Sequence, residues 1–188
     1  AAAAAHYEAA LAATPGHTGL LNNLGLVLEK LGRMADAERR FEEAVALAPT
    51  GLQPLANLAQ NLFQQGRPAD ALEYFDRLVA RHPQLAAASI HGNRGICLSA
   101  VGRFADAANA LERAMELDPT LVSLARQRGM MLGRQRKWVE AIDVLNGAAK
   151  QDPSDIFVAG TLAHARANIA DWDDDGALER TRARLRDA

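Results

Sequence analysis

The stretch TGLLNNLGLVLEKLGRMADAERRFEEAVALAPTG, Thr18 to Gly51, decides how the chain is read, because its 34-residue pattern recurs along the whole sequence. Five prolines (Pro15, Pro49, Pro83, Pro119, Pro153) are separated by 34, 34, 36 and 34 residues. An alanine precedes each by 12 positions: Ala3, Ala37, Ala71, Ala107 and Ala141. A small residue (Gly25, Ala59, Gly95, Gly129, Ala163) follows each proline by 10, except across the third repeat, where residues 86 and 87 are inserted.

Within the stretch, Leu21, Leu24, Gly25 and Leu28 fall at i, i+3, i+4 and i+7, the stripe of an amphipathic helix. Gly32 breaks that helix. Arg33 to Leu47 reads as a second helix with Ala37, Phe41, Ala44 and Val45 facing inward, and Pro49 is placed to open the next one. The unit is helix, tight turn, helix, short turn. Full copies span 18–51, 52–87, 88–121 and 122–155. Residues 1–17 match only a second helix, which leaves a stacking face open to an upstream helix or to another copy of the chain. Residues 156–188 read as a degenerate repeat, a first helix over Ile156 to Ala170 followed by a charged capping or connecting helix in which Leu178 and Leu185 dock. The expectation is a single all-α array over 1–188.

Composition agrees with that class and narrows the function. A chain of 188 residues with 49% hydrophobic side chains can bury a sizeable core, and aromatics at 5% favour helices packed through small residues. A net charge of -2 with a pI near 6.2 argues against a nucleic-acid binder, which needs a basic face. Cys97 is the single cysteine, so an internal disulfide is impossible, and a cytoplasmic location is the default expectation. No apolar run approaches a membrane span. The absence of an initial methionine and the five opening alanines read as a fragment of a longer chain.

This unit resembles the tetratricopeptide repeat, with its small residues in the first helix, alanine and an aromatic in the second, and a proline near the end. The aromatic often found early in the first helix is Leu21, Leu55, His91 and Ala125 here. The resemblance implies a right-handed α-solenoid, a superhelix of helix pairs whose concave groove is lined by first helices and binds peptides or proteins. The lysine and arginine set of the carboxylate-clamp subfamily is not matched, since Asn22, Leu26, Asn57, Ser89 and Asn93 occupy those columns. Recognition of a chaperone carboxy-terminus is therefore not expected.

At about 100° per residue, Gly19, Asn23, Leu26 and Lys30 fall opposite the apolar stripe. Asn23 has counterparts at Asn57, Asn93 and Gln127, so a ladder of amides is expected along the groove, with Asn22 and Gln60 adding to it. An amide donates and accepts, so the row suits the backbone of an extended peptide. The same amides also suit a plain solvated helix face. Arg126 and Arg134 flank Gln127 and Met130 and are candidates to attract an acidic segment, or else to pair with neighbouring carboxylates.

No catalytic, cofactor or metal site is expected. His6, His17, His82, His91 and His164 show no ligand spacing and read as surface or groove residues, and Cys97 reads as a small buried apolar residue. Asp171 to Gly176 has the opening of a calcium loop, but Arg182 stands where a bidentate glutamate is needed. Trp172 also falls in register with Phe104 and Trp138, which puts these acids at a helix start. Finally, ARANIADWDDDGALERTRARL, Ala165 to Leu185, resembles the junction between repeats and catalytic region in O-GlcNAc transferase and its bacterial Spindly-like relatives, on Asp171, Trp172, Asp174 and the following leucines and arginines. That resemblance implies a substrate-recruiting arm whose catalytic lobes would follow Ala188.

Overall fold

A computed structural model describes residues 2–170, and among them every regular element is an α-helix. The chain divides into two compact units, Ala1–Val101 and Gly102–Ala188. The first contains α1 (Ala2–Ala13), α2 (Thr18–Lys30), α3 (Met34–Leu47), α4 (Leu52–Gln64), α5 (Pro68–Arg81) and α6 (Ala88–Ala100). The second contains α7 (Phe104–Leu117), α8 (Val122–Arg134), α9 (Trp138–Gln151) and α10 (Ile156–Ala170). The expected capping helix and the calcium-like motif Asp171 to Gly176 lie outside the described residues.

In the first unit α2 packs on α3 and α4 on α5, while the first helix α4 neighbours both α2 and α6. In the second, α8 packs on α7 and α9, and α10 on both α9 and α8. The alanine column makes these contacts close. Ala37, Ala71, Ala107 and Ala141 are all 0% exposed. Ala3, at the same repeat position in α1, is exposed, and no first helix of its own repeat packs on it among the described residues. Phe41 lies so near α2 that a Cβ on Gly25 would stand 2.3 Å from its ring, so the glycine is a packing requirement of the repeat.

The first helices α2, α4, α6 and α8 each end in a left-handed residue. Gly32 (φ 75°) donates its N–H to Glu29 and Arg33 donates to Leu28, closing α2 with a Schellman-type turn. The turn between α8 and α9 has the same bonds, from Arg136 to Gly133 and from Lys137 to Leu132, but at Arg136 (φ 61°) the left-handed residue carries a side chain.

The prolines do a different job from the one expected. α4 starts at Leu52, so Pro49 stands one residue beyond the C-cap Ala48 and stops α3, where it cannot continue the ladder. Pro83, Pro119 and Pro153 likewise follow the C-caps His82, Asp118 and Asp152. In the second unit these turns are held by the aspartates. Asp118 accepts from the N–H and hydroxyl of Thr120, and Asp152 does the same with Ser154, which holds both carboxyls below the usual range. The inserted residues lengthen the turn before α6, burying Ala86 and making Ala87 its N-cap.

Candidate functional site

In the first unit the stripe Leu21, Leu24 and Leu28 is buried, and Gly19, Asn23, Leu26 and Lys30 are exposed on the other side of α2 as the periodicity requires. The amides do come together, but staggered between columns. Asn57 donates to Asn22 (3.3 Å) and accepts from Gln53 (2.9 Å), and Asn93 donates to Gln60 (2.6 Å). Asn22 is buried at 6% exposure, whereas Asn57, Gln60 and Asn93 are half-buried. Asn23 is exposed and has no side-chain hydrogen bond among the described residues. An amide offers two donors and a carbonyl that accepts twice, so Asn57 and Asn93 keep hydrogen-bonding capacity beyond their bonds to Asn22, Gln53 and Gln60. Lys30 closes the last turn of α2, where a cation is favoured by the helix dipole.

A second polar layer was not visible in the sequence. Asn61 is 0% exposed and donates to Glu29 (2.8 Å), while Gln65 bonds both Asn61 (2.7 Å) and Glu38 (2.8 Å). Arg67 closes the chain by bonding Glu38 and Asp70, each at 2.7 Å. This network ties α4 to α2 and α3. The column holding Asn61 reads Cys97 and Met131 in later repeats, so periodicity gave no sign of it.

The second unit replaces amide pairing with cations on rings. Arg126 lies 5.7 Å from the centre of the Phe157 ring and Arg134 lies 5.8 Å from that of Phe104. Among the described residues neither is within ion-pair distance of a carboxylate, in contrast to Arg94 with Asp76 and Arg128 with Glu112. Those two pairs occupy equivalent positions in successive repeats, with arginine standing where Leu24 and Leu58 stand earlier. Each pins a first helix to the preceding second helix. Gln127 is half-buried on the same stretch of α8.

Between α8 and α10 lies a cleft of about 300 Å³ lined by Met130, Gly133, Arg134, Trp138, Thr161 and His164, with Gly129 and Ala165 behind. Trp138 meets His164 edge to face at 5.9 Å. It also lies against Gly133, where a Cβ would come within 2.6 Å of the indole. Trp138 was legible only as an in-register aromatic, because the cleft depends on the small residues opposite it.

Cys97 is fully buried and desolvation pushes its thiol up to about 11, away from the reactive thiolate. His91 corrects the expectation of a surface or groove residue, since it is buried at the position of Leu21 and Leu55. Among the described residues no cluster of histidine, cysteine or carboxylates is arranged to hold a metal, and no helix is long and apolar enough to cross a membrane. In the first unit, α1, α2 and α3 border an apolar cleft of about 600 Å³. His82 and Arg77 fasten the next second helix, α5, to the carbonyls of Thr50 and Pro49, but the equivalent residues of α3 are Ala48 and Glu43. The α1–α3 junction lacks those ties.

Models of the tetratricopeptide repeat family match residues 17–84, 52–120 and 94–156. No curated protein matches the chain. Among solved structures, YrrB, described as "a TPR protein with an unusual peptide-binding site", is 16% identical, with a TM-score of 0.81 over 89% of this chain and 85% of its own. A crystal structure of MamA is 17% identical, with a TM-score of 0.75 over 90% and 88% of the two chains. MamA from Desulfovibrio magneticus RS-1 is 18% identical, with a TM-score of 0.71 over 81% and 85%. At these identities the likeness is one of fold. The family matches stop at residue 156, and nothing in these comparisons supports the glycosyltransferase-junction resemblance of Ala165 to Leu185, most of which lies outside the described residues.

Proposed function

Because the chain belongs to the tetratricopeptide repeat family, we propose that it is a non-catalytic interaction module, one array over 1–188, that holds a partner polypeptide on its first helices. The observation that carries this reading is the unspent polarity of that face. Stacking uses the leucines, glycines and alanines, but it does not use Asn23, nor the spare hydrogen-bonding positions of Asn57 and Asn93. Such groups match the alternating N–H and C=O of an extended backbone. The peptide-binding site described for YrrB makes a peptide the first ligand class to try.

A library of random linear peptides displayed on phage and panned against the whole chain supplies the probe. Amide hydrogen exchange with an enriched peptide is expected to show protection in α2, α4, α6, α8 and α10. Failure to enrich any peptide, or protection confined to α3, α5, α7 and α9, would overturn the reading.

A further inference from the structure

The cleft of the second unit exists because of particular small residues. Ala165 stands at the repeat position of Asn61 and Met131, whose longer side chains are buried in their own repeats. Thr161 and Met130 occupy the positions of Asn93 and Gln60, the pair that hydrogen-bonds in the first unit. Neither Thr161 nor Met130 can supply an amide, and the hydroxyl of Thr161 turns back onto the Phe157 carbonyl at 2.8 Å. What remains is an apolar recess with an indole wall, large enough for one side chain.

The recess lies beside two arginines that have no carboxylate partner among the described residues. Arg126, Met130 and Arg134 follow one another at i, i+4 and i+8 on α8, and so share one face. Met130 is exposed at 41% and Phe157 at 67%. Arg126 donates one N–H to the Met130 sulfur at 3.8 Å, and a guanidinium over a ring still has further in-plane N–H groups that can meet carboxylates. Nothing among the described residues neutralises either arginine.

We propose that this surface binds an acidic linear peptide, one apolar side chain entering the Trp138 cleft while carboxylates on either side meet Arg126 and Arg134. The proposal rests on the reading of the chain as a peptide-binding module and names the class of peptide. Eight residues of helix separate the two arginines by roughly 12 Å, which an extended chain covers in about four residues. The motif is therefore acid and acid about four positions apart, with an apolar residue between them. RNA would also meet the arginines, but it has no side chain for the recess, and the chain's net charge is -2.

The same phage library tests this on the whole chain. The enriched peptides are expected to share the acidic, apolar, acidic pattern and to bind, by fluorescence anisotropy, at least about tenfold more weakly to the Arg126→Ala/Arg134→Ala double variant. Ala165→Met, which fills the recess without altering charge, is expected to weaken the same peptides by a similar factor. Replacing the peptide's own acids by glutamine gives the same answer without touching the protein. Peptides that ignore all three changes but are lost on Asn57→Ala/Asn93→Ala would overturn this proposal and leave peptide binding standing. A basic consensus, or displacement by poly(U) as effective as by unlabelled peptide, would also overturn it. A library that yields nothing would overturn both.

Discussion

The two units build one architecture with different chemistry between neighbouring first helices. In Ala1–Val101, Asn57 reaches Asn22 and Asn93 reaches Gln60, and beneath them Asn61, Gln65, Glu29 and Glu38 form a buried polar layer. In Gly102–Ala188, the equivalent positions carry Arg126, Met130, Met131 and Thr161, and the interactions are guanidinium on ring, indole against imidazole, and an unfilled cleft. The comparison teaches that the fold constrains few columns. Alanine and glycine must be small where helices touch, and the other positions can become either a stapled surface or an open one.

Four variants probe that contrast, each read by urea unfolding. The largest effect is expected where small size is obligatory. In Gly25→Ala the new methyl would lie 2.3 to 2.8 Å from three atoms of the buried Phe41 ring, and a loss of about 2–3 kcal/mol is expected. In Gly129→Ala the nearest atoms, 2.8 to 3.0 Å away, belong to Leu145, whose rotamers can yield. Helix propensity returns up to about 1 kcal/mol, so the net loss there is expected to stay below about 1 kcal/mol. Equal losses at the two sites would show that the units pack alike.

Next comes the buried amide. Asn61→Met installs the residue that the second unit uses at Met131, but it removes the donor to Glu29 and one of the two acceptors of Gln65, and a loss of about 1–3 kcal/mol is expected. A neutral result would mean that the polar layer contributes nothing to the first unit.

The smallest effect concerns the arginines in the leucine column. Arg128 has a buried Nε with no hydrogen-bond partner, and its ion pair with Glu112 stands where leucine serves in earlier repeats. Replacing both partners by leucine is expected to leave stability within about 1 kcal/mol or to raise it. A larger loss would make the ion pair a structural requirement that distinguishes the second unit.

Much of the fold was legible because stacking imposes a period. The helix expected over Ile156 to Ala170 is the helix observed, and Ala37, Phe41 and Ala44 are fully buried as their columns require. The site was legible only in part. Asn57 and Asn93 were found because their column repeats, but their partners Asn22 and Gln60 lie in other columns, and averaging over repeats cannot display a staggered bond. Asn61 and the Trp138 cleft each occur once, so they leave no periodic trace. Arg94 and Arg128 broke a column of leucines, and only the carboxylate across the helix interface explains why that is tolerated.

The left-handed Arg136 affects more than the geometry of its turn. A stack of hairpins closes like a zipper, link by link, and each link has its own starting cost. At Gly32 the reversal is free of Cβ strain, whereas at Arg136 it costs roughly 1 kcal/mol. By that amount the α8–α9 turn is the more strained of the two. Because Met130, Arg134 and Trp138 flank that reversal, the recess that would receive a peptide side chain lies beside the strained turn, and an occupant that bridges the two helices would act as a clasp.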